Sequence, residues 1–304
     1  MYNPIIECKN ISLSFKNKKI LKNINLSIYP GELVALIGPN GAGKTTFIKS
    51  ICGLLKPDKG EIHIMGKNIY KEKSLPEIKA FIEIPTAFDY FTGEELIKYY
   101  LALDQKHYNK SQLYEFFEEH DIKLITENLI STYSQGKKQK IFLACIFLTN
   151  PHILILDEPT VSLDLPTLRM LENKILHLKE QGSTIIISSH DFHFVNILCD
   201  RIVYIREGEI VGDLYQKEII NKILSTNNML MYVISINKAK NGIEILKQYA
   251  KIIKVINENN FIIECGIANL QSLIKELSKN NIEILEIKYY KEPSEIFLEN
   301  FVNS

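Results

Sequence analysis

The 304-residue chain balances 36 Lys+Arg against 36 Asp+Glu, for a formal net charge of zero, and 46% of its residues are hydrophobic. That balance argues against a general nucleic-acid binder, which carries a basic excess, while the length and apolar content accommodate one large domain plus a small one. Five scattered cysteines with no CxxC spacing (Cys8, Cys52, Cys145, Cys199, Cys265) exclude a disulfide framework and a cysteine zinc site, and read as reduced core thiols of a cytosolic protein.

Met1-Tyr2-Asn3-Pro4 lacks the basic and apolar regions of a signal peptide. The longest apolar runs, such as residues 141–148, fall well short of the roughly 18 residues a membrane helix needs. A membrane role is therefore expected to run through a partner chain. Residues 5–15 and 20–29 read as two strands around a polar turn at 17–19. In the second, Ile24, Leu26 and Ile28 alternate with Asn23, Asn25 and Ser27, the period of a strand with one buried face. Phe15 ends the first strand, either as core or as a ring that stacks on a purine, since every base has a π-face.

Leu33-Val34-Ala35-Leu36-Ile37 reads as a strand buried on both faces, as in parallel sheets. It runs into Gly38-Pro39-Asn40-Gly41-Ala42-Gly43-Lys44-Thr45-Thr46, which meets the phosphate-loop pattern G-x-x-x-x-G-K-[ST], and helical character begins at Thr45. The glycines let backbone N–H groups turn inward around a phosphate chain. The helix start adds roughly half a positive charge. In that setting Lys44 reaches the β- and γ-phosphates and the Thr45 hydroxyl ligates Mg²⁺. The chain is expected to bind a nucleoside triphosphate.

Gly53, Pro57 and Gly60 punctuate the end of that helix, residues 61–65 form a short strand, and residues from about 86 to 148 turn helical and rich in aromatics, a helical insertion between strands. The strand pattern returns at Ile153-Leu154-Ile155-Leu156 and ends in Asp157-Glu158-Pro159. A phosphate-loop fold places its second Mg²⁺-side acid at such a strand end, which makes Asp157 the metal candidate. Glu158, one residue on, is positioned to polarise an attacking water as a general base. Residues 168–181 form an amphipathic helix with Leu171, Ile175 and Leu178 on one face, ended by Gly182. Residues 184–187 then run as a strand into Ser188-Ser189-His190-Asp191, a polar cluster at the carboxyl end where α/β sheets bind ligands. His193 reads as ordinary. Residues 202–205 and 209–211 form a hairpin turning at Glu207-Gly208.

Four further segments resemble the ATP-binding-cassette (ABC) ATPases. Tyr133-Ser134-Gln135-Gly136-Lys137-Lys138-Gln139-Lys140 is similar to the family signature, usually LSGGQ, and stands 23 residues before the strand-end acid, from Ser134 to Asp157. Leu156-Asp157-Glu158-Pro159-Thr160 resembles the Walker B segment, Ser162-Leu163-Asp164 the D-loop and Ser189-His190 the switch histidine, while Phe15 takes the place of the adenine-stacking aromatic. Glu83, in Ala80-Phe81-Ile82-Glu83-Ile84-Pro85, stands where the family usually has Gln, and Gln135 replaces the signature's first glycine. Both departures are similar to the branch serving bacitracin resistance and lantibiotic self-immunity.

The resemblance, which covers about residues 5–215, implies an α/β cassette with a mixed sheet, an antiparallel lobe and a helical subdomain at about 86–150. It also implies ATP and Mg²⁺ as cofactors, with Thr45, Asp157 and Glu83 on the metal side. Two cassettes, as homodimer or heterodimer, would sandwich ATP between the phosphate loop of one and Ser134, Gly136 and Asp164 of the other, with Glu158 and His190 acting on the water and γ-phosphate. The partner implied is an integral membrane permease on a separate chain, reached through Phe88, Tyr90 and Phe91 and holding the cassette to the inner face of the cell membrane. The activity implied is ATP hydrolysis coupled to export of antimicrobial peptides or drugs. The alternative is a soluble ABC ATPase acting on DNA or ribosomes; such proteins usually carry long coiled-coil insertions, zinc cysteines or two fused cassettes, and this sequence shows none of them.

Residues 216–231 read as a polar linker. Residues 232–304 follow the order β-α-β-β-α-β of a small ferredoxin-like α+β domain, with a last helix at 294–301. No motif there carries chemistry, and an accessory or dimer-supporting role is expected.

Overall fold

The computed structural model of the protein describes residues 3–72, 78–104, 126–190, 192–219 and 229–290. Its contacts divide it into two units, residues 1–213 and 214–304.

The first unit is built on two sheets. β1 (Ile6–Phe15) pairs antiparallel with β2 (Lys18–Ile28) on one side and with β4 (Lys59–Ile64) on the other, and β5 (Lys67–Asn68) completes the order β2-β1-β4-β5. Ile6, Cys8, Ile11 and Leu13 of β1 and Leu21, Ile24, Leu26 and Ile28 of β2 are buried in one core. The alternation in the sequence thus becomes one dry face.

The second sheet has the order β10-β9-β3-β8-β7-β6. Its strands are β3 (Leu33–Ile37), β6 (Lys79–Phe81), β7 (Ile153–Asp157), β8 (Thr184–Ser189), β9 (Arg201–Arg206) and β10 (Glu209–Tyr215). Every residue of β3, β7 and β8 is buried, which is why β3 and the middles of β7 and β8 are apolar runs. The four strands β3, β8, β7 and β6 pair in parallel with Ile37 opposite Ser189, Asp157 opposite Ser188 and Phe81 opposite Leu156. Their carboxyl ends therefore finish side by side. That register positions everything in the site.

The helices of this unit are α1 (Lys44–Ile51), α2 (Gly93–Leu103), α3 (Gln135–Phe147), α4 (Leu165–Glu180) and α5 (Phe192–Leu198). A reciprocal capping box between Thr92 and Glu95 starts α2. Helix α4 begins three residues ahead of the apolar periodicity, because the Asp164 carboxylate accepts the Thr167 N–H and Pro166 occupies the first turn. Leu171, Ile175 and Leu178 bury its inner face. In the helical region Phe88 packs on Phe91 and Tyr99 at 5.4 Å and on Phe142 at 5.9 Å. Tyr90 is left 87% exposed.

The second unit contains β11 (Leu230–Ile236), α6 (Ala239–Tyr249), β12 (Lys251–Val255), β13 (Asn260–Cys265), α7 (Ile267–Lys279) and β14 (Ile284–Tyr289). Its sheet runs β12-β13-β11-β14, with every neighbouring pair antiparallel. Ile234, Phe261, Ile263, Leu246, Leu273 and Leu277 are buried in its core. The expected helix at 294–301 and most of the expected linker lie outside the described residues.

Arg201 joins the two sheets of the first unit. Its guanidinium donates to both Asp213 oxygens at 2.6 and 2.7 Å, to the Ser27 carbonyl at 2.9 Å and to Glu32 at 3.1 Å. A buried cation held by two acids leaves uncompensated charge when removed. Arg201→Ala is expected to destabilise the protein by about 3 kcal/mol, read from the midpoint of urea unfolding. An unchanged midpoint would show that this network contributes nothing to the fold.

Candidate functional site

The phosphate loop leaves β3 at Gly38 and enters α1 at Lys44, with Gly43 as N-cap at φ 107°. No side chain caps this helix and its first turn holds no acid. Its leading N–H groups and positive dipole end are thus left to a ligand, and the ligand they suit is an anion. The loop is anchored from outside by the β9–β10 turn: the Gly208 N–H donates to the Ala42 carbonyl at 2.9 Å, and the Lys22 N–H donates to the Gly208 carbonyl at 2.8 Å. Gly208 has φ +82° and a Cβ there would lie 2.1 Å from the Ile20 carbonyl oxygen, so only glycine fits. At the far end of α1, the Tyr70 hydroxyl bonds the Ser50 and Leu55 carbonyls at 2.7 Å each, and burial pushes its pKa up to about 12.

Lys44 is only 6% exposed. Its ammonium donates to the Gly38 carbonyl at 2.7 Å and to the Pro39 carbonyl at 3.4 Å, and lies 3.6 Å from Glu158. The second Glu158 oxygen is 2.7 Å from His190 Nδ1. Glu158 is thus gripped between the phosphate-loop lysine and the histidine that follows β8. Its own backbone takes φ 48°, an uncommon conformation for a non-glycine residue that costs of order 1 kcal/mol and clusters at functional positions. The Glu158 N–H donates to Ser188 Oγ at 2.9 Å, and the Ser188 hydroxyl donates to the Asp157 carboxylate. Ser188 therefore locks both acids at once.

Sequence reasoning noticed Ser188 only as one of a polar cluster. Its place opposite Asp157 comes from the parallel register of β7 and β8, which no local pattern states. Gln139 was also missed. It is buried in α3, and its amide donates to the Pro159 carbonyl, tying the signature helix to the segment after β7.

Glu83 emerges two residues beyond β6 and lines a cleft of about 490 Å³ together with Asp157, Glu158 and Gln135. Its carboxylate is held by Lys49 of α1 at 2.6 Å. Ser134 caps α3 by accepting the Lys137 N–H at 3.4 Å. Gly136 lies against the next motif: a Cβ there would come within 2.7 Å of the Ser162 carbonyl oxygen. Asp164 is exposed, and its bonds to Thr167 hold its carboxyl below the usual range. Phe15, 49% exposed at the tip of the β1–β2 hairpin, is not core.

The structure brings Lys44, Thr45, Asp157, Glu158, Glu83 and His190 to the end of one sheet. Ser134, Gly136 and Asp164 stand at helix starts in the same unit. Among the described residues no three acidic, histidine or cysteine side chains form a metal cage. Thr45 and Asp157 supply oxygen donors, which suit Mg²⁺, an ion that keeps waters and leans on substrate phosphates.

A glycine loop on an uncapped helix, beside a parallel strand ending in acids, defines the class of P-loop nucleoside triphosphatases. Comparison with known proteins narrows the class. The family profile described as ABC transporter matches residues 21–161. The SkfA peptide export ATP-binding protein SkfE of Bacillus subtilis is 34% identical over 218 residues, covering 69% of this chain and 89% of that one. The bacitracin transport ATP-binding protein BcrA of Bacillus licheniformis is 32% identical over 215 residues, 70% of each chain. A solved structure of the ATP binding subunit of an ABC transporter superimposes with a TM-score of 0.65 at 27% identity, over 72% of this chain and 92% of that one. The chain belongs to the ABC transporter family and is an ATP-binding cassette ATPase. Among its described residues no helix is long and apolar enough to cross a membrane.

Losing a charged hydrogen bond to phosphate costs about 1.5–3 kcal/mol, or about 10- to 100-fold in affinity. Lys44→Ala is expected to weaken ATP binding by that factor in equilibrium titrations. Unchanged affinity would remove the loop from the binding site.

Proposed function

We propose that this chain is the ATP-hydrolysing subunit of an exporter of antimicrobial peptides or drugs, seated on the inner face of the membrane against a permease made as a separate chain. The observation that carries the catalytic reading is the Lys44–Glu158–His190 constellation at the ends of adjoining parallel strands. The similarity to SkfE and BcrA, named for peptide export and bacitracin transport, supports the exporter reading.

In this reading Phe15 stacks on the adenine and the loop from Gly38 to Thr46 wraps the phosphates. Lys44 leaves the Gly38 carbonyl for the β- and γ-phosphate oxygens. Thr45 and Asp157, with Glu83 nearby, hold Mg²⁺, which when bound neutralises charge developing on the transferred phosphoryl group. Glu158 takes a proton from the attacking water, and His190 orients its carboxylate. Ser188 keeps Asp157 and Glu158 in register throughout. Ser134, Gly136 and Asp164 of a second cassette close the site from the opposite side, so each γ-phosphate reports to two subunits. Tyr90, exposed beside the aromatic cluster, is the residue offered to the permease. The second unit supports the cassette pair.

Glu158→Gln is expected to keep ATP affinity, lower turnover by about 10²- to 10⁴-fold and accumulate an ATP-bound dimer on size exclusion. Wild-type turnover in that variant would take the general-base role away from Glu158. For the transport reading, the chain isolated from its native membranes is expected to bring a polytopic membrane protein with it. Recovery with ribosomes or DNA instead would overturn export in favour of a soluble ABC ATPase.

A further inference from the structure

The Lys49–Glu83 ion pair has no counterpart in the motif reading, because Lys49 belongs to none of the motifs. Lys49 follows Thr45 by four residues on α1, so the two share one helix face about 6 Å apart along the axis. Glu83 meets Lys49 from a point two residues past Phe81, whose partner Leu156 immediately precedes Asp157. The 2.6 Å contact between Lys49 and Glu83 thus forms beside the helix that carries Thr45, and Glu83 lines the same cleft as Asp157. The neighbouring cations are engaged elsewhere: Lys44 faces Glu158 at 3.6 Å, and Lys138 bonds Asp89 at 2.6 Å.

The side chain of Glu83 is 72% exposed and that of Lys49 27%. An ion pair so exposed adds little to stability and breaks readily. As a staple for the fold it is weak, but as a holder that can let go it is suited.

We propose that Lys49 is a positioning residue that holds the Glu83 carboxylate in an ion pair in competition with the Thr45–Asp157 metal side, so that Glu83 has two stations and Lys49 sets the balance between them. The inference rests on the proposed nucleotide and Mg²⁺ site. A glutamine at position 83 lacks the charge that pairs with Lys49. The device therefore depends on the acid present in this chain, and it makes the pair a brake on the cation affinity of the loaded site.

The test is a two-by-two cycle of Lys49→Met and Glu83→Gln, reading the Mg²⁺ concentration that half-saturates binding of a fluorescent ADP analogue, with no turnover involved. With Glu83 present, Lys49→Met is expected to lower that concentration about threefold, the scale of an exposed pair. In the Glu83→Gln background the same change is expected to do nothing, and Lys49→Arg is expected to keep the wild-type value. Simple removal of a nearby positive charge would instead lower the midpoint equally in both backgrounds, and that result overturns the proposal, as does no change in either. If the wild-type chain bound the analogue with no response to Mg²⁺, the metal-site reading itself would fall, and this inference with it. An intact wild-type response with no coupling in the cycle defeats the inference alone.

Discussion

The parallel register of β3, β8, β7 and β6 is the constraint on which the site depends. Parallel strands point their carboxyl ends the same way, so residues far apart in the chain finish at one edge. Ile37 opposite Ser189, Asp157 opposite Ser188 and Phe81 opposite Leu156 bring the phosphate loop, the histidine, the paired acids and Glu83 into one row. A slip by one residue in any pair would turn every side chain of that strand to the other face. Complete burial of β3, β7 and β8 makes such a slip costly. Stability and function thus rest on the same pairing.

Around that row, nearly every charged group is already engaged within the chain. Lys44 is bound by carbonyls of its own loop and faces Glu158, Glu158 meets His190, and Glu83 meets Lys49. In the proposed reading the arrangement is a set of substitutes: each internal partner occupies a group that a phosphate, a cation or a water would engage in turnover. Ligand binding here exchanges contacts, and its free energy is the difference between two sets of interactions.

The core elements were legible because their signals are local. β3 occupies the five residues expected, since an unbroken apolar run is written in neighbouring residues. The phosphate loop was legible for the same reason. β5 and β6, two and three residues long, escaped because they are too short to show a period. The early start of α4 escaped because Asp164 was read for the nucleotide and not for its cap. The Lys49–Glu83 pair and the Arg201–Ser27 bond join residues 34 and 174 positions apart, and no linear pattern encodes such meetings. Within the site, residue types were predictable and their partners were not.

The turn at Glu207 and Gly208 gives β10 a mechanical position. β10 is the strand by which the chain passes from the first unit to the second, and its first residue follows the glycine whose amide holds Ala42. The first residue of that strand is therefore one peptide and one hydrogen bond away from the phosphate loop.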